Sequence, residues 1–167
     1  MSSQSLGKAI VCDWIRENVA KGSTCLDVGA CDGVWWNALN EHLNMDAVEV
    51  FERNIEVHRL REKYTNVIAA DVRGLQYGDY DIIIFGDVLE HMTVEEAQAC
   101  LKYAEAHSKI IIVALPFMWR QGEIYGNPYE RHVQDDLTEA NVKERYPELT
   151  PIVKFVQYAY YYWRAGE

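Results

Sequence analysis

The sequence predicts a doubly wound α/β fold: a mostly parallel sheet, helices on both faces, and one or two antiparallel strands at the C-terminal end. Apolar strand-like runs alternate with amphipathic helical stretches, which pairs the strands in parallel through right-handed crossovers. The run Tyr80-Asp81-Ile82-Ile83-Ile84-Phe85 suits the centre of a parallel sheet, buried on both faces. Leu26-Asp27-Val28-Gly29-Ala30-Cys31-Asp32-Gly33 turns from strand to helix through small residues. It thereby brings bare backbone to the carboxyl end of the sheet, where such folds hold ligands.

Leu6, Ile10, Trp14 and Ile15 recur at helical spacing, and Lys21-Gly22 stops that helix. A strand beginning at Ser23 then enters the glycine turn, and helical periodicity resumes from Val34 to Leu43. Asp46 to Phe51 is a second buried strand with Glu49 near its end. Ile55, Val57, Leu60 and Tyr64, set among charges, predict one amphipathic helix. Asn66 to Asp71 is a third strand that again ends in an acid, and Tyr80 to Asp87 is the fourth. Thr93-Val94-Glu95-Glu96 is a capping-box signature whose helix should reach about His107. Lys109 to Pro116 is the fifth strand, stopped by its proline. Residues 117–136 lack a regular period and carry two glycines, a proline and several aromatics, which makes a long loop. Thr138 to Tyr146 is a helix, and Ile152–Val156 with Tyr158–Trp163 forms one or two antiparallel strands. Tyr158, Tyr160 and Tyr162 alternate with residues of the other face, as in edge-strand packing or a contact between copies in a homo-oligomer, with burial in the core the safer reading.

No repeat, low-complexity segment or linker interrupts the 167 residues, so one domain over 1–167 is expected. The net charge of −10 argues against a nucleic-acid footprint, which needs clustered Lys and Arg, and against adhesion to anionic membrane. Cys12, Cys25, Cys31 and Cys100 are scattered with no C-x-x-C pair; free thiols in a reducing, cytoplasmic setting are expected. The amino end lacks the apolar run of a signal peptide, and no stretch of about 18 apolar residues could span a membrane. No His/Cys/carboxylate cluster has ligand spacing in the sequence, so no metal is expected.

Ligands in open α/β sheets sit outside the carboxyl ends of the strands, which aligns Gly29, Glu49, Asp71 and Asp87 along one rim from four strand ends. With this series the chain resembles the class I S-adenosylmethionine-dependent methyltransferases, which are Rossmann-like. The family's first motif, roughly D/E-x-G-x-G-x-G, is matched by Asp27-Val28-Gly29-Ala30-Cys31-Asp32-Gly33, with Cys31 in place of the middle glycine. Glu49, Asp71 and Gly86-Asp87-Val88-Leu89-Glu90-His91 complete the match; the last is similar to the strand-four end of members that act on small molecules. The resemblance covers nearly the whole chain.

The resemblance implies S-adenosyl-L-methionine as cofactor and a small-molecule methyl acceptor, while the charge already argues against nucleic acid or membrane as partner. It places Asp27, Gly29, Ala30, Cys31, Gly33, Glu49, Val50, Asp71, Val72 and Asp87 around the cofactor. Glu49 offers two acceptor oxygens to the ribose hydroxyls, and Val50 packs on the adenine. Asp71 takes the adenine amino group while the Val72 amide donates to the ring, and Asp27 lies near the methionine amino group. Each acid also has a plainer role: Glu49 as a solvated strand end, Asp71 as a turn cap, Asp27 as support for the glycine turn. A general base is needed only where the acceptor must lose a proton near neutral pH, and His91 and His132 are the candidates. Phe117, Trp119, Tyr125 and Tyr129 either line the acceptor pocket or pack the loop on the sheet.

Two rival enzymes fit worse. Dinucleotide binding wants G-x-G-x-x-G on a pyrophosphate, where Asp32 has the wrong charge. DNA amino-methylation wants an Asn/Asp-Pro-Pro-aromatic tetrad after strand four, a place taken by Gly86-Asp87-Val88-Leu89. The alternative of another class is a non-catalytic, methyltransferase-like binding or regulatory subunit.

Overall fold

The computed structural model describes residues 6–167. Helix α1 (Lys8–Asn18) leads into β1 (Thr24–Val28), α2 (Val34–Leu39), β2 (Asn44–Glu49), α3 (Glu52–Val57), α4 (Leu60–Lys63) and β3 (Val67–Ala69). Then come β4 (Tyr80–Gly86), α5 (Val94–Ala106), β5 (Ser108–Pro116), α6 (Glu139–Arg145), β6 (Thr150–Lys154) and β7 (Tyr158–Arg164). The strands form a seven-stranded sheet in the order β3-β2-β1-β4-β5-β7-β6. Pairing is parallel from β3 through β5 and antiparallel for β5–β7 and β6–β7. This is the doubly wound, mostly parallel arrangement that the alternating apolar runs dictate.

The pleat of β4 divides the core. Ile83 and Phe85 face one side, packed with Ala97, Leu101 and Ala104 of α5 and Val142 of α6. Ile82 and Ile84 face the other, packed with Val11 and Ile15 of α1 and Leu39 of α2. All four β4 side chains are fully buried, so truncating one to alanine costs about 2–5 kcal/mol. Helix α5 opens as its sequence requires: Thr93 accepts from the Glu96 amide, and the Glu96 carboxylate accepts from the Thr93 amide.

Four expectations need correction. The helix expected to reach Leu43 ends at Leu39, and the one expected across Ile55–Tyr64 is broken in two because Arg59 adopts a left-handed φ of 54°. Strand β3 is only three residues long, so Asp71 lies beyond its end in the loop that crosses to β4. The tyrosines of β7 are not on an edge. β7 is flanked by β5 and β6, and Tyr158 and Tyr160 are fully buried, so their alternation reflects a core strand at the heart of an antiparallel triplet. Among the described residues no helix is long and apolar enough to cross a membrane, and all four cysteines are free thiols.

Candidate functional site

Strand order reverses between β1 and β4, and at the carboxyl ends of these strands the chain forms a cleft. Gly29, Ala30, Cys31, Glu49, Val50, Asp71, Val72, Asp87, His91 and His132 all line it. Asp27 and Gly33 do not. Gly33 caps α2 from a left-handed φ of 79°. Asp27 is buried behind the glycine turn, where its Oδ2 accepts the Tyr64 hydroxyl at 2.5 Å. Burial raises the Asp27 pKa to about 7, against the opposing pull of the Tyr64 hydrogen bond and the Lys8 charge.

The turn after β1 needs its small residues. Gly29 sits at φ 70°, and a Cβ there would come within 2.6 Å of the Val88 methyl. Cys31 also lies in the left-handed region, at φ 47°, which explains the motif's preference for glycine at this place. The twist aims the Cys31 amide at β2, where it donates to Glu49 Oε2 at 2.8 Å. The Phe51 amide donates to Glu49 Oε1, also at 2.8 Å. Glu49 is thus a buried carboxylate on the cleft wall, fixed by one backbone amide on each oxygen. Burial raises its pKa, and the Phe51 and Cys31 amides together with the Asn54 side chain oppose that shift.

Asp71 is held differently. Arg73 grips its carboxylate through its own backbone amide at 2.9 Å, through Nε at 3.0 Å and through a guanidinium amine at 2.5 Å. It also reaches Glu96 on α5 at 3.2 Å. The Arg73 hydrogen bonds hold the Asp71 carboxyl below its ordinary pKa. No signal in the sequence announced this partner.

The other end of the cleft is built by the 3₁₀ turn Leu89–His91 and the loop after β5. Glu90 is the anchor. Its carbonyl accepts the amides of Val133 at 2.8 Å and Gln134 at 2.9 Å. Gln134, itself buried, donates to the Leu89 carbonyl at 2.9 Å and accepts from Tyr146 at 2.9 Å. The loop is therefore clamped over the cleft, with Trp119, Gln121, Asn127, Tyr129 and Glu130 among its lining. His91 and His132 meet edge to face with ring centroids 4.8 Å apart. Burial lowers the pKa of both imidazoles. Glu90, which the sequence motif contains without a role, is fully buried among the described residues with neither carboxylate oxygen hydrogen-bonded.

No family model matches the sequence, and neither does any curated protein sequence. Solved structures do match in fold. An S-adenosylmethionine-dependent methyltransferase from Clostridium acetobutylicum superposes with a TM-score of 0.71 at 13% identity, covering 95% of this chain and 90% of that one. The N-methyltransferase NodS from Bradyrhizobium japonicum gives 0.68 at 13% identity, covering 96% and 95%. Magnesium protoporphyrin IX methyltransferase from Synechocystis, solved with bound S-adenosylmethionine, gives 0.64 at 15% identity over 93% and 77%. The chain has the fold of these enzymes.

Proposed function

We propose that the protein, as one domain over 1–167, is an S-adenosylmethionine-dependent methyltransferase acting on a small molecule. One observation carries the reading: residues at or just beyond the ends of four strands, each picked out by the motif series, converge on a single cleft at the switch point of the sheet. The residues fit the cofactor. Each oxygen of Glu49 accepts one backbone amide and the Asn54 side chain also bonds the carboxylate; with about four lone-pair sites in all, Glu49 keeps acceptor capacity for a ribose hydroxyl. Val50 and Val72 supply apolar lining beside it, and the acidic wall suits a sulfonium. Asp27, withdrawn from the cleft, supports the glycine turn in this reading.

The cofactor supplies a methyl carbon already activated for in-line displacement. What the chain must do is orient and exclude water. Glu49 and the glycine turn fix one end of the cleft, and the clamped loop covers the other with aromatic and polar side chains. His91 and His132 stand at that covered end, where either takes the proton of an acceptor that must lose one. The loop clamped over the cleft, together with the negative charge of the chain, supports a metabolite over a macromolecule.

Calorimetry with S-adenosylmethionine and S-adenosylhomocysteine tests the proposal. One site per chain for each is expected; no heat with either, in folded protein, leaves only a non-catalytic scaffold.

A further inference from the structure

The covered end of the cleft holds a group of side chains that methyl transfer alone does not need. One carboxylate oxygen of Glu90 and one ring nitrogen each of His91 and His132 lie within 4.8 Å of one another. Glu90 is fully buried, lines the cleft, and has neither oxygen hydrogen-bonded among the described residues. A carboxylate in that state is costly: a buried ion wants a counter-ion, a proton or a metal. Among the described residues no other Lys or Arg lines the cleft beside Arg73, which is taken by Asp71 and Glu96.

The histidines are prepared in a particular way. His91 Nδ1 lies 3.1 Å from the Arg131 carbonyl, and His132 Nδ1 lies 2.8 Å from the Trp119 carbonyl. A carbonyl only accepts, so each Nδ1 carries the hydrogen, and the lone pair of each neutral ring is on Nε2. Fixing Nδ1–H on a backbone carbonyl is how proteins orient imidazole for a metal. Two imidazoles and one carboxylate, with the rest of the shell left to the cleft, make an N₂O donor set suited to first-row dications rather than to magnesium or calcium.

We propose that Glu90, His91 and His132 bind a divalent first-row transition cation at the acceptor end of the cleft. Sequence spacing hid this trio because His132 arrives from the loop that Glu90's own carbonyl clamps in place. Binding of the cation stands independently of methyl transfer. Coordination occupies the Nε2 lone pair of both imidazoles, so the cation takes the place of an imidazole base: it lowers the pKa of an acceptor hydroxyl drawn into an open coordination position, with the proton released to solvent, a use that rests on the activity proposed above.

Cobalt(II) is the probe, because its visible d–d absorption reports the ligand field. The metal-free protein is titrated with cobalt chloride, alongside His132→Ala and Glu90→Gln, with circular dichroism confirming that each variant folds. The expected result is one cobalt per chain with visible bands in the wild type, and at least tenfold weaker binding in both variants. Absent bands in the wild type, or equal binding in the folded variants, overturn the site. S-adenosylhomocysteine binding is measured on the same samples: its loss in the wild type defeats the methyltransferase reading while the cobalt result judges the metal site separately.

Discussion

Tyr158 donates its phenolic hydrogen to Asp87 Oδ1 at 2.5 Å, tying strand β7 to the end of β4 across 71 residues of sequence. Asp87 holds a left-handed φ of 58°, so the bond braces a strained residue on the cleft wall. Tyr158→Phe removes a charge-assisted hydrogen bond of about 1.5–3 kcal/mol. The melting temperature should fall by several degrees, which a thermal melt followed by circular dichroism measures.

Glu49→Ala should weaken S-adenosylhomocysteine binding at least about tenfold, the scale of lost charge-assisted hydrogen bonds. Calorimetry reads this directly. Unchanged affinity in a folded variant removes the ribose role from Glu49.

Cys31 tests the turn itself. Because it sits at φ 47°, Cys31→Gly should relieve backbone strain of about 1–2 kcal/mol, less what the lost side chain contributed. Cys31→Val places a β-branched residue where it is a genuine outlier and should destabilise. Opposite shifts in paired thermal melts are the expected pattern.

Arg73 competes for Asp71. If Asp71 accepts the adenine amine, Arg73→Ala frees its carboxylate, and S-adenosylhomocysteine should bind several-fold tighter. Weaker binding would instead make Arg73 a direct contact.

Asp27 sets a pH dependence. Its pKa is raised to about 7 in the folded state, so the folded chain holds a proton that the unfolded chain has released. Stability contributed here is therefore present below about pH 4 and lost as pH rises towards 7, at up to about 1.4 kcal/mol per unit. Asp27→Asn cannot ionise. Denaturant melts from pH 4 to 8 should show the wild type losing stability relative to the variant until about pH 7, then running parallel.

How much of this was legible depends on where each partner lies. Gly29 and Glu49 could be read because a single rule, ligands beyond the carboxyl ends of strands, fixes both. Asp71 was legible as a position but not as a bonded group, since nothing in periodicity shows that Arg73 wraps it. Tyr158 and Gln134 were opaque: their partners Asp87 and Leu89 are 71 and 45 residues away. Tyr158 was legible as a packed residue, but its strand's place was not, because alternation reports burial on a strand and not that strand's rank in the sheet. The Glu90 trio needed the loop in place before its chemistry could be seen.

The clamp at the Glu90 carbonyl has an evolutionary reading. Met118 pairs with the Leu137 carbonyl at 2.9 Å at the loop's base, and Val133 and Gln134 are moored to Glu90. The span between these moorings can diversify without disturbing the sheet. New acceptor preferences in descendants of this chain should therefore arise by variation between residues 119 and 131, and a library confined there is the economical place to select them.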